Sequence, residues 1–348
     1  MDHFLTAMNA LLDHQTLDQA TAGGVFTQML EGELNESQIG ALLTALAMHH
    51  QTADELTGAA RAMRERVTPV EYQRSPGSVL LDTCGTGGAP KTFNVSTAAA
   101  IILAGAVLSA DSPVQRIQVA KHGNRSRTGR GSAEVLIELG VHVDADPSLQ
   151  SRCLSDAGLC FCFAVNHHPA VKHAMPTRRS LGFPTIFNAI GPLTNPAHAD
   201  HQLIGVFKDE LVRPMAQTLV NLGIKRSMVV HATDGLDELT ITAPTRVVHA
   251  NDGKLTEELV DPSSLGLKPT PIENVHARDV AHSAQIIRDI VDGESSAFAD
   301  MAMLTAAGGF VIAGVAQGFS QGLNIARESI QSGSAKRSLE TLIKISNS

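Results

Sequence analysis

The chain has 348 residues and a net charge of −8, with no Trp and a single Tyr. That length buries a sizeable core in one large or two modest domains. The acidity and scarce aromatics exclude a base-stacking nucleic-acid surface, and 43% hydrophobic against 18% charged residues excludes a disordered chain.

Residues 4–68 carry helical periodicity. Leu11 and Leu12 lie in a first helix, and Leu17 to Leu30 form a second. Asn35, with Gln38 three residues on, predicts an N-cap for a third helix through Ala47; Thr52 with Glu55 predicts a fourth that ends near Val67. The character changes at Thr68-Pro69, and Ser75-Pro76-Gly77 is a linker. Beyond it, strands at 79–81, 117–120, 160–165, 203–207 and 227–231 alternate with helices at about 96–108, 132–140, 209–222, 296–314 and 334–345. Such alternation predicts an α/β domain with a mainly parallel sheet. Residues 240–268 read as antiparallel strands, with a turn at Asn251-Asp252-Gly253. The expected division is a helical domain over 1–70, joined by helices from about 169–182, and an α/β domain over 76–348.

Cys84, Cys153, Cys160 and Cys162 lack zinc-type spacing, the N-terminus shows no basic-then-apolar leader, and no apolar run reaches membrane-spanning length. The expectation is a reduced, cytoplasmic protein without membrane or nucleic-acid partners.

Four segments carry chemistry. In Asp82-Thr83-Cys84-Gly85-Thr86-Gly87-Gly88, running on to Thr92-Phe93-Asn94-Val95-Ser96-Thr97, a strand enters a glycine loop before a helix that begins at Ser96-Thr97. Backbone N–H groups and the helix N-terminus can converge there on an anion; the plainer reading is a tight turn with a Ser/Thr cap. Lys121-His122-Gly123-Asn124-Arg125 to Ser132 is a second donor-rich loop after a strand, and Lys121, Arg125, Arg127 and Arg130 put four cations within ten residues. Asp234-Gly235-Leu236-Asp237-Glu238 follows a third strand, and its adjacent carboxylates suit Mg²⁺, which shares its shell with substrate phosphates. His167-His168-Pro169, Arg178-Arg179 and Phe187-Asn188-Ala189-Ile190-Gly191-Pro192 to Pro196 make the fourth. There Arg178 can pair with a carboxylate in bidentate fashion, or be a surface helix arginine.

In this order the four segments resemble the anthranilate phosphoribosyltransferase family of tryptophan biosynthesis, over nearly the whole chain. The resemblance implies a small helical domain, a large α/β domain and a homodimer through the helical part. It also implies transfer of phosphoribose from phosphoribosyl pyrophosphate to anthranilate, with Mg²⁺. Gly85, Thr86, Gly87, Gly88, Thr92, Asn94, Val95, Ser96, Thr97, Lys121, Gly123 and Asn124 would hold the donor. Gly85, His122, Asn124, His168, Arg178 and Gly191 would face the acceptor, and Ser96, Asp237 and Glu238 would bind Mg²⁺; no residue is assigned as general base.

The chain departs from the family pattern in both donor loops, each one residue shorter and more cationic: Ala89-Pro90-Lys91 in the first, Arg127-Thr128-Gly129-Arg130 in the second. An insertion covers about Ser109 to Arg116, and Val165 and Pro184 replace a common Pro and Arg. These departures leave open a paralogue with another aromatic acceptor or a pyrimidine nucleoside phosphorylase on the same fold. A non-catalytic nucleic-acid-binding paralogue is the remaining alternative.

Overall fold

The computed structural model describes residues 2–90, 92–126 and 129–348. Four helices come first: α1 (His3–Leu12), α2 (Gln19–Glu31), α3 (Glu36–Ala47) and α4 (Ala53–Arg64). Each starts on a side chain that accepts from its first turn, and both expected capping boxes, Asn35/Gln38 and Thr52/Glu55, are formed. Glu55 does more than cap. Buried, it also accepts the Leu17 N–H at 3.0 Å, tying α4 to the loop before α2.

The α/β part follows in the order β1 (Ser78–Gly85), α5 (Val95–Ala104), β2 (Arg116–Gly123), α6 (Ser132–Glu138), α7 (Pro147–Ala157), β3 (Leu159–Phe163), α8 (Ala164–His167), α9 (Met175–Leu181), α10 (Ile186–Ile190), β4 (His201–Gly205), α11 (Val212–Asn221), β5 (Arg226–Ala232), β6 (Thr245–Asn251), β7 (Lys254–Val260), α12 (Val280–Val291), α13 (Ala297–Ile312), α14 (Phe319–Gln331) and α15 (Ser334–Ser346). The sheet runs β3-β2-β1-β4-β5-β6-β7, with the first five strands parallel and the last two antiparallel. The β6–β7 hairpin turns at Asp252 and Gly253, both at positive φ, as the Asn-Asp-Gly run predicts.

Several boundaries differ from the sequence reading. The strand expected at 160–165 stops at Phe163, the helix expected over 96–108 stops at Ala104, and α7, α12 and α14 were not foreseen. A 3₁₀ turn (Pro169–His173) packs on α2, and α9 packs on α3. One apolar core holds α5, α13 and α15 on one face of the sheet. The other runs without a break from Phe26 and Leu42 of the bundle through Phe187 to Ile204, Leu219 and Val229, so bundle and sheet share it. Among the described residues no helix is long and apolar enough to cross a membrane.

Candidate active site

The order in which strands are added to the sheet reverses between β1 and β4, and in open parallel sheets ligands bind beyond the carboxyl ends of the strands at that point. The loops after β1, β2 and β5 gather there. The 109–115 segment lies at the opposite end, leading into the start of β2, so the inserted residues are remote from the site.

After β1, the Thr86 N–H donates to Gly205 O at 2.9 Å, and Thr86 Oγ1 accepts the Phe207 N–H at 3.1 Å. Gly87 (φ 64°) and Gly88 (φ 109°) then take left-handed backbone that few other residues adopt. Helix α5 starts at Val95, one residue before the expected start, and no side chain caps it. Ser96 and Thr97 are not caps. The Ser96 hydroxyl receives Lys121, and Thr97 Oγ1 is buried without a partner. The Val95 N–H already donates to Phe93 O, so of the expected donor-binding residues Val95 supplies core packing rather than a free amide. Thr92 is buried beside it. Asn94 is braced from α12: its N–H donates to Ser283 Oγ at 3.1 Å, and the Ser283 hydroxyl donates to Asn94 Oδ1 at 2.9 Å.

After β2, Lys121 turns back into the sheet. Its Nζ donates to Thr83 O at 2.6 Å and Ser96 Oγ at 3.0 Å, and burial pushes its pKa down. Gly123 ends the strand, and the Asn124 side chain accepts the Arg125 N–H. Arg130 leaves the loop sideways, donating to Ala277 O at 3.0 Å. Lys91, Arg127 and Thr128 lie outside the described residues.

After β5, Ala232 N–H to Leu236 O and Gly235 N–H to Ala232 O close a tight turn that presents Asp237 and Glu238. A Cβ on Gly205 would lie 1.6 Å from Asp237 O, and one on Gly85 would lie 3.2 Å from Asp237 Oδ2. The acidic turn is therefore seated directly on the ends of β1 and β4. Burial, then the Asp237 charge, holds Glu238 well above the usual carboxylate range, with Lys121 opposing. Crowded carboxylates of this kind gain from a cation. The hard carboxylate oxygens of this pair suit Mg²⁺, which completes its shell with water and phosphate, better than Zn²⁺. Asp234 instead receives the Thr242 hydroxyl and stabilises the turn.

On the acceptor side, His122 Nε2 and His168 Nε2 lie 3.2 Å apart and Thr194 Oγ1 is 3.4 Å from His168 Nε2. Burial first, then the neighbouring imidazoles, push His122 well down and His168 to about 4, so both are neutral at pH 7. The Arg178 guanidinium stacks 4.4 Å over the Phe187 ring, and burial lowers it to about 10, leaving it charged. Among the described residues no carboxylate forms a salt bridge with it. A Cβ on Gly191 would meet no atom within 4 Å, so that backbone borders open space. Val165, on α8, is 62% exposed, and Pro184 is exposed too. Sequence reasoning missed Gly205 and Ser283, and the roles of Asp82, Thr194 and Asn195 within the segments it named. Asp82 carried a signal of its own, a carboxylate inside an apolar strand.

Residues 5–67 match the glycosyl transferase family, helical bundle domain, and residues 77–336 match the glycosyl transferase family, a/b domain. An anthranilate phosphoribosyltransferase from Thioalkalivibrio sulfidiphilus is 41% identical over 344 residues, covering 98% of both chains. The chain belongs to the anthranilate phosphoribosyltransferase family. The enzyme of that name from Thermus thermophilus has a structure that superposes with a TM-score of 0.90 at 36% identity, covering both chains completely. The family member from Saccharomyces cerevisiae, solved in complex with PRPP and Mg, gives 0.87 at 27% identity over 99% of this chain and 98% of its own. All three carry the transferase name, which favours that chemistry over phosphorolysis on the same fold.

Proposed function

We propose that this chain transfers phosphoribose from phosphoribosyl pyrophosphate to the amine of anthranilate, releasing pyrophosphate, in tryptophan biosynthesis. The observation that carries the reading is full-length similarity to enzymes of that name, joined to two donor-rich loops and an acidic turn at the carboxyl ends of the parallel strands.

Breaking the ribose–pyrophosphate bond builds negative charge on the leaving group and positive charge on the sugar. Lys121 and the Gly87-Gly88 amides are fixed donors for the former, and the α5 dipole points its positive end at them. Gly85, Thr86, Thr92, Asn94, Thr97, Gly123 and Asn124 line the same loops. Asp237, Glu238 and Ser96 would hold Mg²⁺, which when bound neutralises pyrophosphate charge. Arg178 takes the anthranilate carboxylate. His122 and His168, both neutral, offer hydrogen bonds to the arylamine without repelling the sugar's developing charge, while Gly191 leaves room for the ring. The amine is neutral at pH 7 with its lone pair available, so orientation rather than a strong base serves the step.

Purified protein mixed with anthranilate, phosphoribosyl pyrophosphate and Mg²⁺ loses anthranilate fluorescence; a folded sample without turnover sinks the reading. Glu238→Gln is expected to abolish Mg²⁺-stimulated turnover, and unchanged Mg²⁺ dependence removes the metal assignment. The bundle exposes Leu5, Leu12 and Met48, which a homodimer through it would cover, and sedimentation at micromolar concentration tests this. Buried free cysteines support a reducing cytoplasm as its compartment.

A further inference from the structure

Asp82 has no exposed surface, yet it stands between the two halves of the site. The β1–β2 ladder ends at the pair Leu81↔Val119, and the last residues of β2 pair only with β3: Lys121 with Phe161, His122 with Cys162. Beyond Leu81 the two strands part, and side chains bridge the gap in both directions. Lys121 Nζ crosses to Thr83 O at 2.6 Å; Asp82 Oδ1 crosses back to accept the His122 N–H at 3.0 Å. Asp82 Oδ2 accepts Asn195 Nδ2 at 2.8 Å. Asn195 also donates to Ala120 O at 2.8 Å and accepts the Ala197 N–H at 3.0 Å, so it pins the chain that follows Gly191.

We infer that Asp82 is a positioning residue: its carboxylate locks the backbone of His122 and, through Asn195, the 191–197 segment to β1, setting the acceptor side in register with Lys121. The inference rests on the proposed function for what the two sides bind. A carboxylate accepts at both oxygens, whereas an amide of the same shape accepts at only one. Asn at 82 would turn an N–H toward either His122 N–H or Asn195 Nδ2, donor against donor. The charge has a second use. Burial raises Asp82 to about 6 against the opposing pull of Lys121, and its negative charge in turn favours protonated Lys121. The other groups facing it are Cys84 on its own strand and Cys160 on β3, both held as neutral thiols by burial.

The test pairs kinetics with a readout that needs no turnover. In the full chain, Asp82→Asn is expected to lower kcat/KM for both substrates at least tenfold while the thermal melt stays cooperative. Wild-type values for both would overturn the inference. Should Asp82→Asn not fold, Asn195→Ala keeps the carboxylate and is expected to raise the anthranilate KM more than the phosphoribosyl pyrophosphate KM; equal KM values to wild type overturn it. Independently, the His122 backbone amide resonance of the wild type is expected to titrate between pH 5 and 7 and to lose that titration in Asp82→Asn. A pH-invariant His122 amide refutes the coupling even if the enzyme acts on other substrates.

Discussion

Gly205→Ala is the sharpest probe of how the acidic turn is held. The new Cβ would lie 1.6 Å from Asp237 O and 2.6 Å from its carbonyl carbon, where real Cβ atoms essentially never come within 3.0 Å. The obstacle is backbone, so the turn must retreat by about 1.4 Å rather than swing a side chain. A displacement near 1 Å costs on the order of 10²-fold in turnover, equivalent to about 2.7 kcal/mol in the barrier, and overpacking of this kind costs ~1–3 kcal/mol in stability. The assay is anthranilate fluorescence loss across a Mg²⁺ titration, beside thermal unfolding. The expected result is a drop of about 10²-fold with a higher Mg²⁺ requirement. At Gly85 the tightest contact of a Cβ is Asp237 Oδ2 at 3.2 Å, with Gly205 O at an ordinary 3.5 Å, so Gly85→Ala is expected to cost less. Wild-type turnover and Mg²⁺ dependence in Gly205→Ala, or a larger loss in Gly85→Ala, would refute the reasoning.

Lys121→Met removes a buried cation and leaves Thr83 O and Ser96 Oγ without their donor; kcat/KM for phosphoribosyl pyrophosphate is expected to fall roughly 10²–10³-fold, and a near-normal value contradicts the role. Arg178→Ala is expected to raise the anthranilate KM by about 10- to 100-fold with little change for the phosphoribosyl donor, as loss of one charge-assisted carboxylate pair requires. His168 sits at about 4, below the unfolded value near 6.5, so the native state binds fewer protons between these limits. Its stabilising contribution is fully present above pH 6.5 and is lost as pH falls toward 4, on the order of 3 kcal/mol. NMR titration of the His168 ring and unfolding between pH 4.5 and 7, with His168→Gln as control, check this; a midpoint near 6.5 contradicts it.

Much of the fold was legible because its causes are local. The Asn35/Gln38 and Thr52/Glu55 boxes lie within four residues, and the Asn-Asp-Gly turn needs only its own φ preferences. Helices α12 and α14 are amphipathic, with Ile286, Ile287 and Ile290 on the buried face of one and Phe319, Leu323, Ala326 and Ile330 on that of the other, so their pattern was legible in the sequence and was passed over. The N-terminus of α5 misled for a different reason. Ser96 and Thr97 look like caps, but Lys121, 25 residues later, takes the Ser96 hydroxyl.

The residue order by itself determined which chemistry the chain carries: glycines and cations after two strands, paired carboxylates after another, and Arg178 between. Those groups act through their own charge and backbone freedom, so their types and spacing declare them. Only the tertiary structure decided how they meet. Gly205 matters because a distant carbonyl sits where its side chain would be, and Ser283 because it braces Asn94 from another helix. Asp82 matters because β1 and β2 part beside it. Contact at a few ångströms between residues tens to nearly two hundred positions apart is set by packing, and no local pattern encodes it.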